Sequence, residues 1–292
     1  MHAHILYNDQ ILPADQKILT AGQLGVLSGW GVFTTLGIYD GVLFEFARHW
    51  RRMERDARLL AVALPEDSGK VLHDLMELVQ RNEVRNGAMR LCVVRSKGGF
   101  WEGPGSGNAS DLVAMTADLN RWRETVALGV AEQARHAASP FAGTKILSWS
   151  HNLVLAEKAV RDGFDEVILL NERGEVAECT SANIFVAKDG TTYTPPLSSG
   201  ALPGITRLVL LEEINAPGMP VREKVLRLED LYQAEEVFIS STTRLLLPVD
   251  RILDRRIAKT GSDGWPVATR LREALRAYIR EYVAKAQRQA VA

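Results

Sequence analysis

Apolar positions along the chain change their spacing several times, and each spacing predicts a different element. Val32 to Ile38 is rich in β-branched and apolar residues, and Asp40-Gly41 is a strong turn signal before a partner strand over Val42 to Phe46. From His49 onwards, apolar residues recur every three or four positions, which predicts a helix that Pro65 ends. The first third of the chain is therefore predicted to contain a β-hairpin followed by a helix.

The remaining pattern predicts further strands and helices in both halves. A helix capped by Ser68 is expected, with an inner face made of Val71, Leu72, Leu75, Met76 and Val79. Strands are predicted at Ala88 to Val94, Asp111 to Thr116, Val126 to Glu132, Glu166 to Leu170, Asn183 to Ala187 and Val237 to Ser241. Helices are predicted over Leu147 to Arg161 and at the end of the chain. Hairpin turns with few helical crossovers favour an α+β fold over a doubly wound parallel sheet.

The length of 292 residues is sufficient for about two domains, each with its own core. The stretch 119–125 is polar and lacks a clear period, so we interpret it as an interdomain linker. This assigns residues 1–118 to a smaller N-terminal α+β domain and residues 126–292 to a larger domain.

The charge balance, the apolar runs and the cysteines of the chain exclude several classes of function. Thirty-five basic and 36 acidic residues give a formal net charge of −1, so no overall field would hold nucleic acid. No apolar run approaches the roughly 20 residues that span a bilayer, and no secretory signal is recognisable, so we expect a cytoplasmic protein without membrane contact. Cys92 and Cys179 form no C-x-x-C pair, so we expect neither a disulfide framework nor a metal site.

Two ionisable residues of the second half are candidates for chemistry. Lys145 precedes the apolar Ile146 and Leu147, and burial there would disfavour the ammonium form and leave an amine able to attack a carbonyl. Glu178 lies among small and polar residues, and a buried carboxylate requires a cationic partner or several hydrogen-bond donors. Each residue alone has an ordinary interpretation, a solvated lysine and a surface glutamate.

Two further features suit an anion. The Pro203-Gly204 turn places Ile205 and Thr206 in the first turn of a helix, where N–H groups and the helix dipole attract negative charge. The run Ser240 to Thr243 offers four hydroxyl groups after an apolar strand. Amine, carboxylate, helix start and hydroxyl cluster together are the set that pyridoxal 5′-phosphate requires, for its aldehyde, its ring nitrogen and its phosphate.

These features occur in an order that covers nearly the whole chain. The sequence resembles the class IV, or fold-type IV, pyridoxal-phosphate aminotransferases, a family with branched-chain aminotransferases, D-amino-acid aminotransferases and aminodeoxychorismate lyases. The resemblance is carried by Gly31-Val32-Phe33, the His49-x-x-Arg52 spacing, Lys145, Gly163 to Val167, Gly174 to Glu178, Leu202 to Arg207 and Ser241 to Thr243. It implies a homodimeric enzyme with a smaller N-terminal α/β domain and a larger C-terminal domain whose core is mostly β.

The resemblance also implies roles for individual residues. Lys145 would form the Schiff base with pyridoxal phosphate and move the proton of the substrate, and Glu178 would pair with the pyridine nitrogen. The phosphate would be held by Arg52, the backbone of Ile205 and Thr206, and Thr242. The substrate would contact the backbone amides of Thr242 and Thr243 and the side chains of Phe33, Thr35, Phe100 and Trp101.

The motifs are shared among three substrate classes of the family: branched-chain L-amino acids, D-amino acids and aminodeoxychorismate. Leu202 to Arg207 is similar to the branched-chain enzymes and favours a branched-chain or other apolar L-amino acid, with a 2-oxo acid such as 2-oxoglutarate as acceptor. Those enzymes carry Gly-Asn-Tyr after the lysine, where this chain has Leu147 to Ser150. D-amino-acid enzymes carry Arg-x-His in the loop that here reads Gly99 to Glu102, which disfavours that alternative. Phe33-Thr34-Thr35 is similar to the lyases, which form 4-aminobenzoate and pyruvate.

Overall fold

The computed structural model describes residues 1–98, 107–214, 216, 219–257 and 264–291. The chain divides into two compact units. The first unit comprises Met1–Asn120, Lys145–Trp149 and Ile279–Ala292, and the second comprises Arg121–Thr144 and Ser150–Tyr278. The domain bounds inferred from the sequence stay predictions.

The first unit is built on one antiparallel sheet. Its elements are β1 (His4–Tyr7), β2 (Gln10–Pro13), α1 (Leu24–Ser28), β3 (Gly31–Tyr39), β4 (Val42–Leu43), α2 (Phe46–Leu59), α3 (Ser68–Arg81), β5 (Gly87–Arg95) and β6 (Ser110–Ala117). The six strands follow the order β2-β1-β6-β5-β3-β4, and every neighbouring pair is antiparallel. α2 and α3 pack on the sheet through a core that includes Leu36, Met53, Leu75, Leu78 and Met89.

Successive side chains of β3 point to opposite faces of the sheet. Val32, Leu36 and Ile38 belong to the core beneath the helices, and Thr34 shares their face. Phe33 and Thr35 therefore lie on the other face. This alternation separates Thr34 from its two neighbours and directs it towards α2.

Three boundaries in this unit differ from the sequence prediction. The strand after the Asp40-Gly41 turn spans only Val42–Leu43, because the chain turns at Glu45 (φ 54°) and α2 begins at Phe46. α2 ends at Leu59, well before Pro65. The cap of α3 is Asp67 rather than Ser68, since the Asp67 carboxylate accepts the Lys70 N–H at 2.9 Å.

The second unit is built on a nine-stranded mixed sheet. Its elements are β7 (Val126–Arg135), α4 (Ser150–Arg161), β8 (Glu166–Asn171), β9 (Val176–Cys179), β10 (Asn183–Lys188), β11 (Thr191–Thr194), α5 (Ile205–Glu212), β12 (Val221–Glu223), α6 (Leu228–Tyr232), β13 (Glu236–Ser241), β14 (Leu245–Ile252), β15 (Arg255–Arg256) and α7 (Pro266–Val291), of which α7 ends in the first unit. The order is β12-β11-β10-β13-β14-β7-β8-β9, with β15 paired to β14. Helices with largely antiparallel strands confirm the predicted α+β class.

Two helices of this unit show how local sequence and packing combine. The helix predicted from Leu147 begins only at Ser150, because antiparallel pairing with the start of β3 holds the chain extended up to Leu147. α7 begins at Pro266, and the buried Glu236 carboxylate accepts the N–H groups of the next two residues at 2.8 and 2.9 Å. Within the described part of the chain, no helix combines the length and the apolar character needed to cross a membrane.

Candidate active site

Lys145 lies in a short extended segment that pairs with the beginning of β3. The Phe33 N–H donates to the Lys145 carbonyl at 3.0 Å, and the Leu147 N–H donates to the Gly31 carbonyl at 2.9 Å. The Lys145 N–H in turn donates to Oδ2 of Asp56, a buried carboxylate on α2, at 3.0 Å. The main chain of Lys145 is therefore fixed by both β3 and α2, so its side chain starts from a defined point.

The Lys145 amine is flanked by two aromatic rings. Its Nζ lies 4.5 Å from the centroid of the Phe33 ring and 4.9 Å from that of the Trp149 ring. The two rings meet edge to face with their centroids 5.6 Å apart. The lysine is half-buried, so the amine combines contact with solvent and an apolar surrounding.

Arg52 is buried on α2, whereas the neighbouring Arg51 is exposed. Nη2 of Arg52 donates to Oγ1 of Thr34 at 2.8 Å, and the same oxygen lies 2.6 Å from Nδ1 of His49. Burial, together with the positive charges of Arg52 and Lys145, holds the pKa of His49 well below its usual value. The first unit therefore brings an amine, a guanidinium and a neutral imidazole together.

Glu178 lies in β9 with its carboxylate buried and held from two sides. Nε of Arg135 donates to Oε1 at 3.0 Å, and the Leu202 N–H donates to Oε2 at 3.0 Å. Arg135 is held in turn by Oδ1 of Asn152, which lies 3.3 Å from both of its terminal nitrogens. The guanidinium charge and the amide offset the cost of burying the carboxylate, as the sequence analysis required for this residue.

The helix start predicted after Pro203-Gly204 is present as the first turn of α5. Gly204 is the N-cap, no side chain caps the helix, and Ile205 and Thr206 follow with buried side chains. A Cβ at Gly204 would lie 2.0 Å from Oδ1 of Asn183, so a larger residue would have to displace that side chain. The first N–H groups of a helix have no acceptor within it and remain suited to an anion.

The hydroxyl run of the sequence continues into the tight turn that joins β13 to β14. Ser241 pairs with Leu245, which leaves Thr242 and Thr243 half-buried in the turn beside Arg244. Nη2 of Arg244 lies 3.2 Å from Oε2 of the buried Glu166. An ion pair therefore anchors the segment that carries both threonines.

The same arginine also links this turn to the end of β9. Its Nη1 donates to Oγ of Ser181 at 2.9 Å, and its guanidinium carbon lies 4.1 Å from the centroid of the Trp122 ring. Trp122 donates its Nε1–H to the Thr243 carbonyl at 3.1 Å. Glu178, the start of α5 and the threonine turn are thus connected within the second unit through Leu202 and Arg244.

Three substrate residues of the sequence analysis remain. Thr35 is half-buried on the same face of β3 as Phe33, directly opposite Arg90 of β5. The exposed Arg90 places its guanidinium carbon 4.9 Å from the centroid of the Phe33 ring. Phe100 and Trp101 lie outside the described residues.

Sequence reasoning missed the residues that hold the site residues in place. Glu178 called for a cationic partner, but nothing in the sequence selects Arg135 from the many arginines of the chain. Asp56, Glu166 and Arg244 carried no signal of their own, because a charged residue in a helix, at the end of a strand or in a turn is ordinarily solvated.

A model of the family described as amino-transferase class IV matches residues 31–252. The chain is 30% identical over 285 residues to a D-alanine aminotransferase of Bacillus licheniformis, with 96% of this chain and 99% of that protein covered. It is 28% identical over 258 residues to a branched-chain-amino-acid aminotransferase of Escherichia coli K12, with 84% and 83% covered.

A solved structure gives the same result for the fold. A hypothetical aminotransferase from Mycobacterium tuberculosis, in a pyridoxal-phosphate-bound form, matches with a TM-score of 0.83 and 27% identity. The match covers 94% of this chain and 98% of that one. The predicted fold-type IV architecture is thereby confirmed.

Proposed function

Because the chain belongs to the class IV aminotransferases, we propose that it moves an amino group from a branched-chain or other apolar L-amino acid to a 2-oxo acid such as 2-oxoglutarate. Enzymes of this class use pyridoxal 5′-phosphate. When bound, this cofactor supplies an aldehyde that takes up the amino group and a ring that withdraws electrons from the substrate Cα.

The polar groups of the chain fit the parts of that cofactor. The Lys145 amine suits the aldehyde, and the Glu178 carboxylate, with its charge supported by Arg135, suits a protonated ring nitrogen. A phosphate suits the uncapped first turn of α5 and the guanidinium of Arg52. The donor and acceptor types therefore match the aldehyde, the ring nitrogen and the phosphate of the cofactor.

We assign the proton transfer to Lys145. An amine must be uncharged to take a proton from the substrate Cα, and the Lys145 Nζ lies between the Phe33 and Trp149 rings, beside the apolar surface assigned to the substrate. The hydrogen bonds that hold its main chain limit the positions that Nζ can reach. Phosphate binding is assigned to Arg52, to the backbone of Ile205 and Thr206, and to Thr242.

The preference for an apolar side chain rests on one observation, the aromatic pair beside the amine. Phe33 and Trp149 present apolar surface within 5 Å of Nζ, which is where a substrate attached at its amino group would lie. Thr35 and the backbone amides of Thr242 and Thr243 are assigned to the polar end of the substrate. Phe100 and Trp101 stay assigned to the substrate from the sequence.

A second candidate function is favoured by one relative of the chain, a D-alanine aminotransferase. The D-alanine aminotransferase matches over nearly its whole length, so transfer from a small D-amino acid is the alternative to the L-specific reaction. The two reactions differ in which face of the substrate Cα is turned towards the lysine amine.

One substrate panel distinguishes these functions. The purified protein is incubated with 2-oxoglutarate and matched L- and D-forms of leucine, valine and alanine, while the cofactor spectrum and the 2-oxo acid released are recorded. We expect turnover of L-leucine and L-valine well above that of every D-form. Faster turnover of D-alanine would replace the proposal with the second candidate, and pyruvate release from aminodeoxychorismate without an acceptor would replace it with the lyase.

We also propose that the protein works as a homodimer in the cytoplasm. The homodimer is the assembly that the family resemblance implies. Analytical ultracentrifugation at the enzyme concentration of the assay measures the mass directly, and a monomer that turns over at full rate would contradict the proposal.

A further inference from the structure

Three buried polar side chains form a continuous hydrogen-bonded group in the first unit. Thr34, on β3, is 1% exposed, His49 is 1% exposed and Arg52 is 8% exposed. His49 and Arg52 lie three positions apart on one face of α2, and both reach the Thr34 hydroxyl, at 2.6 and 2.8 Å. A single oxygen therefore connects the guanidinium to the imidazole.

The direction of these hydrogen bonds follows from the chemistry of the three groups. A guanidinium only donates, so Oγ1 of Thr34 accepts from Arg52. Among the described residues, Nδ1 of His49 is the acceptor that the structure offers to the Thr34 hydroxyl proton. The opposite direction would leave both that proton and Nε2 unsatisfied, whereas this direction leaves only Nε2 without a partner among the described residues.

The electrostatics of the group support the same direction. Burial and the charges of Arg52 and Lys145 keep the imidazole neutral, so one of its two nitrogens must be an acceptor. The hydroxyl then donates to Nδ1, and Nε2 carries the proton. The resulting order runs from guanidinium to hydroxyl to imidazole, and each group restricts the rotation of the next.

We propose that Thr34 is a positioning residue for the cofactor phosphate, because its hydroxyl, itself held by His49, fixes the Arg52 guanidinium in the orientation that binds the phosphate. This inference rests on the assignment of Arg52 to the phosphate in the proposed function. Thr34 acts only through Arg52, so its effect concerns the phosphate and leaves the cofactor ring and aldehyde unaffected.

The test compares two ligands that differ only in the phosphate. Dissociation constants for pyridoxal 5′-phosphate and for pyridoxal are measured on the cofactor-free full chain of wild type, Thr34→Val and Thr34→Ser. Thr34→Val keeps the shape but removes the hydroxyl, and we expect it to weaken binding of the phosphorylated ligand about 10- to 100-fold with pyridoxal unchanged. Thr34→Ser keeps the hydroxyl and should bind both ligands like wild type.

Two results would overturn the proposal. Equal weakening of both ligands by Thr34→Val would assign Thr34 to the stability of the fold alone, and unchanged binding of both would remove any role. The free energy of unfolding of each cofactor-free variant is measured in parallel. If Thr34→Val does not fold, two-bond ¹H–¹⁵N spectra of wild-type His49 decide instead, since a proton on Nδ1 contradicts the inferred direction.

A double-mutant cycle separates this proposal from the proposed function. Arg52→Gln should itself reduce the preference for the phosphorylated ligand, and adding Thr34→Val to it should reduce that preference no further. If Arg52→Gln leaves the preference intact, the phosphate assignment of Arg52 in the proposed function fails. If Arg52→Gln reduces the preference, and Thr34→Val reduces it further in the Arg52→Gln background, only the positioning role of Thr34 fails.

Discussion

Two clusters of buried polar groups, one in each compact unit, are held in different ways. In the first unit, the Arg52 guanidinium donates to a neutral hydroxyl, and that hydroxyl contacts a neutral imidazole, His49. In the second unit, buried carboxylates face arginines directly, as Glu178 faces Arg135 and Glu166 faces Arg244.

The difference decides whether an arginine keeps its positive charge available for an anionic ligand or has it neutralised by a carboxylate. A neutral relay orients a cation without adding a countercharge, which suits a cation that has to meet an anionic ligand. An ion pair between partly buried groups fixes their geometry, but removing one partner leaves a buried charge without compensation and lowers the stability of the fold. The first arrangement predicts effects on ligand binding, and the second predicts effects on stability.

The largest effect is expected at Lys145. Lys145→Ala removes the amine to which we assign the proton transfer, so we expect turnover to fall by about 10⁴-fold or more, against about 10²- to 10³-fold for Glu178→Gln. Steady-state rates with L-leucine measure both losses. Borohydride treatment followed by peptide mapping should label position 145 in wild type and in Glu178→Gln, and normal turnover of Lys145→Ala would refute the assignment.

The next effect tests the ion pairs of the second unit. Arg135→Met leaves the buried Glu178 carboxylate without its cation and should lower the free energy of unfolding by about 3 kcal/mol. The matched control is Arg123→Met, which breaks the exposed ion pair with Asp165 and should change stability by less than about 1 kcal/mol. Urea unfolding of the cofactor-free chain measures both, and equal losses would contradict the contrast.

The smallest effects concern pH, and their signs are opposite in the two units. The pKa of His49 is lowered in the folded chain, so below about pH 6.5 the unfolded chain binds a proton that the folded chain does not. The stability of wild type relative to His49→Asn should therefore fall as the pH drops below 6.5. Asparagine can still accept from the Thr34 hydroxyl, so the comparison isolates the titration.

Glu166 should behave in the reverse direction. Burial raises its pKa despite the opposing charge of Arg244, so the folded chain retains a proton that the unfolded chain loses. The stability of wild type relative to Glu166→Gln should accordingly fall as the pH rises through the folded pKa of Glu166. Unfolding measured from pH 4 to 8 checks both variants, and slopes of the same sign would contradict the comparison.

Local features of this protein follow directly from short stretches of its amino-acid sequence. Strand and helix types follow from the spacing of apolar residues, and the start of α5 follows from Pro203-Gly204, because these signals act over a few neighbouring positions. Lys145 and Glu178 could be proposed as site residues because their motifs are short and occur in the order of a known family.

The groups that hold those residues in place come from distant parts of the chain and are brought there by folding. Arg135 reaches Glu178 across 43 positions, Asp56 reaches the Lys145 amide across 89, and Arg244 reaches Glu166 across 78. Such contacts depend on strand register and on how helices pack against sheets, and apolar periodicity does not encode which polar side chains then meet. A further long-range contact, the antiparallel pairing of Ile146 with Val32, holds the chain extended where the sequence predicted the start of α4.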